Sequence, residues 1–170
     1  MRKIAGFPLY LLPAACLLLT LVPGVFAQDL QKFADLVYAE ADNKPLALDI
    51  YLPASSSKPA LLVYIHGGAW RAGNKSNPPE QFVQAGFAVA SVDFRQTTEA
   101  PFPANVHDIK AALRFLRANA DKYGYRADKI AISGASSGAH LAVLVGVTNG
   151  NAELEGTLGS YMDTSSDVQV

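Results

Sequence analysis

Gly134, Ala135, Ser136, Ser137 and Gly138 form a G-x-S-x-G pattern, the part of the chain whose residue types and spacing speak most directly of chemistry. A serine hydroxyl attacks carbonyl carbon only when it is held clear of its neighbours and a base takes its proton. Where a strand turns sharply into a helix, glycines two positions to either side remove the side chains that would collide there. The flanks fit such a turn: Ile130 to Ser133 is rich in β-branched residues, and Ala139 to Val147 is apolar nearly all round, as a buried helix is. Ser136 is therefore a candidate nucleophile for acyl transfer. The plain alternative is a glycine-rich turn in which Ser136 or Ser137 caps the helix.

Acyl transfer also places negative charge on the former carbonyl oxygen, which backbone N–H groups of a small-residue loop can approach closely. Such a loop follows the apolar run Leu61 to Ile65 as His66, Gly67, Gly68, Ala69 and Trp70. Its amides at Gly68 and Ala69, with Gly67 as a further donor, would join the Ser137 amide in an oxyanion hole. His66, first in the loop, reads as a scaffold imidazole bonded to nearby carbonyls. Trp70 either lines the acyl site or packs the loop.

Strands must bring these two loops together. Asp35 to Ala41 and Leu46 to Leu52 alternate in character around Asp42, Asn43, Lys44 and Pro45, which predicts a hairpin. Pro59 to Ile65, Phe87 to Val92 and Lys129 to Ile132 are continuous apolar runs, as expected of strands buried on both faces. Between them Val106, Ile109, Leu113, Leu116 and Ala120 share one helical face, with Lys110, Arg114, Arg117 and Lys122 elsewhere. Pro103 starts that helix and Gly124 ends it; a weaker helix is expected from Pro79 to Ala85. The alternation of strand and helix predicts an α/β fold with a mostly parallel sheet joined by right-handed crossovers.

With half of its 170 residues hydrophobic and 17% charged, the chain has the composition of one globular domain and not of a disordered segment. Fourteen basic against fifteen acidic side chains leave no basic stripe, which excludes nucleic acid as a partner. No H-E-x-x-H or comparable cluster implies a metal, and neither glycine pattern ends in G-K-[ST], so no phosphate loop or other cofactor is implied. Arg2 and Lys3 precede an uncharged, leucine-rich stretch from Ile4 to Ala27, with Pro23 and Gly24 ahead of small residues at Val25 and Ala27. This predicts a signal peptide over residues 1–27, cleaved before Gln28, and a secreted or periplasmic product with no stable membrane span thereafter. The alternative is an uncleaved anchor, against which Pro8, Pro13 and Pro23 make a poor continuous helix. Cys16, the only cysteine, falls inside the apolar run, where it neither forms a disulfide nor suits lipidation.

Taken together, these residues resemble the α/β-hydrolase superfamily, in particular its hormone-sensitive-lipase-like esterases and their bacterial feruloyl and acetyl-xylan esterase relatives. The resemblance runs from about residue 35 to 150. Leu48 to Pro53 is similar to the family's first conserved strand, His66 to Arg71 to its oxyanion loop, and Ser91 to Arg95 to its next strand end. Glu99 to Pro103 resembles its helix lead-in, and Gly134 to Ala142 its nucleophile elbow. Ala69 stands where a third glycine is common, a change that keeps the amide unless the position needs positive φ. Ser137 stands where alanine is usual.

The resemblance implies a three-layer sandwich, a Ser136 acyl-enzyme, and a small-molecule or carbohydrate-linked ester as substrate. It also implies a triad in the order Ser, Asp or Glu, His, yet no histidine follows His140. His140 lies four residues after Ser136 on the same helix and His107 on the surface of the preceding one, so both read as structural. Asp163 and Asp167 sit in a polar, turn-rich tail with no histidine to orient. Val168, Gln169 and Val170 resemble the opening of the family's next strand. The expectation is an N-terminal part of the fold over residues 28–170, truncated after the nucleophile helix and inactive alone. A non-catalytic binding protein of the same fold is the competing expectation.

Overall fold

The computed structural model describes residues 30–54 and 58–169. The expected signal peptide and Cys16 lie outside the described residues. β1 (Gln31–Ala41) and β2 (Lys44–Leu52) form the hairpin, and Asp42 and Asn43 turn it with both φ angles positive, at 52° and 61°. Two such residues match the right-handed twist of the strands they join. β3 (Ala60–Ile65), α1 (Glu80–Gln84), β4 (Ala88–Val92), α2 (Ala104–Ala118), α3 (Ala120–Tyr123), β5 (Arg126–Gly134), α4 (Ser137–Gly146) and α5 (Ala152–Glu155) follow.

The described strands make one sheet in the order β1-β2-β4-β3-β5. Its two halves differ. β4, β3 and β5 pair in parallel, while β1, β2 and β4 pair antiparallel. The expected α/β sheet with its parallel crossover strands is present, and it is mixed because the hairpin docks antiparallel against β4. Side chains alternate between the two faces. Leu61, Val63 and Ile65 of β3 enter the larger core with α2 and α4, whereas Leu62 joins Val83 of α1 and Val89 of β4 in a smaller core behind the sheet. These are the three layers of the sandwich.

The long helix departs from its expected boundaries. It breaks at Asn119, with α3 ending at Gly124, whose φ of 83° is the left-handed cap that glycine supplies. Lys110 and Arg114, placed by periodicity away from the core, are 0% and 1% exposed. Residues 148–168 lie across that side of α2 and supply the missing partners. Lys110 donates to the Thr148 carbonyl and Glu155, Arg114 to Glu155 and the Leu158 carbonyl, and Arg117 to the Ser165 and Asp167 carbonyls. Asp163 and Asp167 belong to this fastened segment. It ends alongside β5, where the Gln169 amide donates to the Ile130 carbonyl at 3.0 Å and its side-chain oxygen accepts from the Ile130 amide at 2.9 Å. Beyond that contact β5 and α4 flank an apolar groove of about 580 Å³, lined by Ile132, Val143 and Val147 among others. Among the described residues no helix is long and apolar enough to cross a membrane.

Candidate active site

β5 ends at Gly134, and the chain reverses into α4 within two residues. Ser136 sits at the tip with φ 52° and ψ −120°, a conformation that side-chain-bearing residues rarely adopt and that costs on the order of 1–3 kcal/mol. Backbone contacts hold it there. A Cβ on Gly134 would lie 2.4 Å from the Gly138 carbonyl, and one on Gly138 would lie 2.1 Å from the Ile65 carbonyl oxygen. The Ala135 amide donates to that same Ile65 carbonyl at 3.2 Å. The turn is therefore fixed to the end of β3, where the second loop begins. Ser136 precedes the first helical residue, yet its side chain makes no capping hydrogen bond and is exposed. As first residue of α4, Ser137 has an amide with no intrahelical acceptor.

The loop after β3 faces this turn. A Cβ on Gly67 would lie 2.8 Å from the Ala135 carbonyl oxygen and 3.3 Å from Ser136 Cβ, so Gly67 lies directly against the serine. Gly68, Ala69 and Trp70 follow with φ of 135°, 52° and 60°. The loop closes on itself where the Arg71 and Ala72 amides both donate to the Gly68 carbonyl at 3.0 Å. Among the described residues, the Gly67, Gly68 and Ala69 amides find no backbone acceptor. Ala69 does occupy a left-handed conformation, so the alanine keeps its amide at the cost of strain. The exposed Trp70 ring meets His140 of α4 edge-on, centroids 5.5 Å apart, so the loop also touches the helix that follows the serine.

The histidines divide as their surroundings dictate. His66 is buried and stacks on Phe94 at 4.6 Å, with Nδ1 donating to the Gly67 carbonyl at 2.9 Å. His107, expected on the surface, is half-buried against Gly156, and its Nε2 donates to the Glu153 carbonyl at 3.1 Å. Residues 148–168 cover it as they cover Lys110. None of His66, His107 and His140 forms a hydrogen bond with Ser136 Oγ among the described residues.

Three supporting residues had no role assigned from the sequence, although Asp49 and Asp93 lie in the stretches that resemble the family's strands. Asp49 of β2 is 1% exposed and accepts from the Asp35 amide, Tyr51, Lys32 and Lys75. Burial opposes its charge, but the bonds from Lys75, the Asp35 amide and Lys32 prevail and lower its pKa to about 2. Lys75, just past the glycine loop, donates from its backbone to Asp93 Oδ1 at 2.6 Å, and that oxygen lies 3.9 Å from His66 Nε2. Burial pushes the Asp93 carboxyl up. A charged residue inside the apolar strand Leu48 to Leu52 was the available signal.

Comparison with known proteins extends this geometry to a family. The family model BD-FAE matches residues 48–170. The chain belongs to the BD-FAE family. With its relatives and structural neighbours, that makes it an α/β-hydrolase of the hormone-sensitive-lipase-like esterase type. This BD-FAE chain is 33% identical over 119 residues to the esterase LipC of Mycobacterium tuberculosis, covering 67% of itself and 30% of LipC. Among solved structures it is similar to a bifunctional GH43-CE protein of Bacteroides eggerthii, with a TM-score of 0.73 and 39% identity over 81% of the chain and 20% of that protein. Esterase Est2 of Thermogutta terrifontis, with propionate bound, gives a TM-score of 0.66 and 28% identity, covering 86% of the chain and 53% of Est2. The BD-FAE chain spans about a third of the length of the curated relatives it matches.

Proposed function

We propose that this chain carries the nucleophile and oxyanion hole of a serine carboxylic-ester hydrolase. The observation that carries the reading is Ser136: its hydroxyl is exposed, free of the helix it precedes, and held beside a loop of unpaired amides. Ser136 Oγ attacks the ester carbonyl carbon as its proton passes to a general base and from there to the leaving alcohol oxygen, and the electron pair of the C=O bond moves to oxygen. The Gly68, Ala69 and Ser137 amides, with Gly67 alongside, receive that charge. Collapse of the intermediate expels the alcohol and leaves an acyl-Ser136, which water hydrolyses.

Full turnover requires a base and an acid that residues 30–169 do not supply: His66 is engaged by the loop, His107 by residues 148–168, and His140 travels with the nucleophile's own helix. The chain alone should therefore show only the residual catalysis that an oxyanion hole and binding provide. Hydrolysis of 4-nitrophenyl acetate tests this. Slow release unchanged by His140→Ala supports the reading, whereas ordinary esterase turnover abolished by His140→Ala reassigns the base.

Small-molecule and carbohydrate-linked esters are the substrates such chemistry takes, and the likeness to a carbohydrate esterase from gut microbiota favours the second class. Export through the segment ending at Ala27 would bring the protein to such esters outside the cytoplasm. Mass spectrometry of exported protein should find Gln28 at the N-terminus, and a mature chain starting at Met1 would refute cleavage.

A further inference from the structure

We infer that Asp49 and Lys75 are positioning residues for the oxyanion loop, a buried ion pair that registers the loop against the hairpin strand β2. The inference rests on the oxyanion reading of residues 67–69 for its functional meaning.

The loop has little to hold it from within. Gly68, Ala69 and Trp70 all take positive φ, and its internal bonds are two amides on the Gly68 carbonyl and His66 Nδ1 on the Gly67 carbonyl. Its remaining ties run outward. The Trp70 carbonyl accepts from the Thr97 amide at 2.8 Å and from its hydroxyl at 3.2 Å, and the Gly73 carbonyl accepts from Gln96 Nε2 at 3.0 Å. Lys75 supplies the others: its amide reaches Asp93, while its ammonium bridges Asp49 Oδ1 at 2.8 Å and Asp35 Oδ1 at 2.7 Å. Lys75 thus ties the loop's exit to both β4's end and β2.

The burial of this pair argues for placement as well as stability. The Asp49 and Lys75 side chains are 2% and 12% exposed, and desolvating two charges offsets much of what their attraction contributes. What such a pair does provide is a fixed partner and a fixed distance. Asp49 itself cannot shift: β2 pairs with β4 on one side and β1 on the other, and Tyr51, Lys32 and the Asp35 amide occupy its remaining acceptor sites. A rigid carboxylate on a central strand is a reference point, and Lys75 carries that reference to a loop that would otherwise relax its left-handed residues.

Trp70, the chain's single tryptophan, makes the loop visible by fluorescence. Hydrogen exchange in the full chain reads its bonds directly. In Lys75→Met, exchange at the Arg71, Ala72 and Thr97 amides should quicken about tenfold, as a local opening does, while the paired amides of β3 and β5 keep their rates. Acrylamide should quench Trp70 more strongly, and Lys75→Arg should restore both signals. Should Lys75→Met not fold, Asp49→Asn keeps the shape and removes the charge, and carries the same expectation. Wild-type loop exchange in a folded variant, or equal acceleration throughout the sheet, would overturn the inference. No ester enters the measurement, so it succeeds or fails independently of Ser136's chemistry.

Discussion

After β5 the chain crosses into α4 in two residues, and backbone contact fixes the crossing: Gly134 lies against Gly138, and Gly138 against the Ile65 and His66 carbonyls. After β3 it takes a longer course, and charged or polar groups from β2, β4 and the segment beyond β4 fix that one through Asp49, Asp93, Gln96 and Thr97. The first is a steric solution, made by five residues packed on the end of β3, and indifferent to pH. The second is an electrostatic one, spread over the hairpin and the loops, and it depends on protonation. The proposed nucleophile and its proposed oxyanion donors thus lie side by side while answering to different perturbations.

Gly138→Ala should produce the largest effect. Its Cβ would lie 2.1 Å from the Ile65 carbonyl oxygen, and backbone on both sides leaves little room to yield. A loss of about 3 kcal/mol, read as a lowered melting temperature, is expected from such overpacking. Little change would show that the crossing is not sterically fixed.

Acid should attack the other region first. The Asp49 pKa falls from 3.8 in the unfolded chain to about 2 in the folded one, so its contribution is present above pH 4 and is lost as pH falls toward 2. The shift corresponds to about 2 kcal/mol. Asp93 acts with opposite sign, because its raised pKa favours the protonated form in the folded state. Trp70 fluorescence followed from pH 6 to 2 should report loop release, and Asp49→Asn should flatten that part of the profile. An unchanged profile in the variant would detach the loop from the pair.

Ala69→Gly is expected to have a small and favourable effect. Removing the Cβ at φ 52° relieves left-handed strain and outweighs the added freedom of the unfolded chain, for a gain of about 0.5 kcal/mol in thermal stability. Destabilisation would mean that the methyl group contributes packing that outweighs the strain.

The same contrast explains what the sequence disclosed. The elbow was legible because its residue pattern falls within Gly134 to Gly138, and the glycine loop was legible because its own pattern is equally local. Asp49, Lys75 and Asp93 were not, since their meaning arises only when β2 pairs with β4 and the loop exit folds back on both. Periodicity identified α2 but misjudged Lys110, Arg114 and His107, because a helical wheel cannot foresee residues 148–168 crossing its polar side. Strand runs were visible, whereas the antiparallel docking of β2 on β4 is a matter of partners, which apolar runs do not specify.

Covalent capture tests whether Ser136 is the nucleophile. The full chain is incubated at length with an excess of a 4-nitrophenyl alkylphosphonate, whose tetrahedral phosphorus presents an anionic oxygen as the acyl intermediate does, and is then digested for peptide mass spectrometry. A single adduct on Ser136 is expected, slow to form, absent from Ser136→Ala, and slower still in Lys75→Met. An adduct that persists in Ser136→Ala, one spread over other serines such as Ser133 and Ser137, or none at all would contradict it.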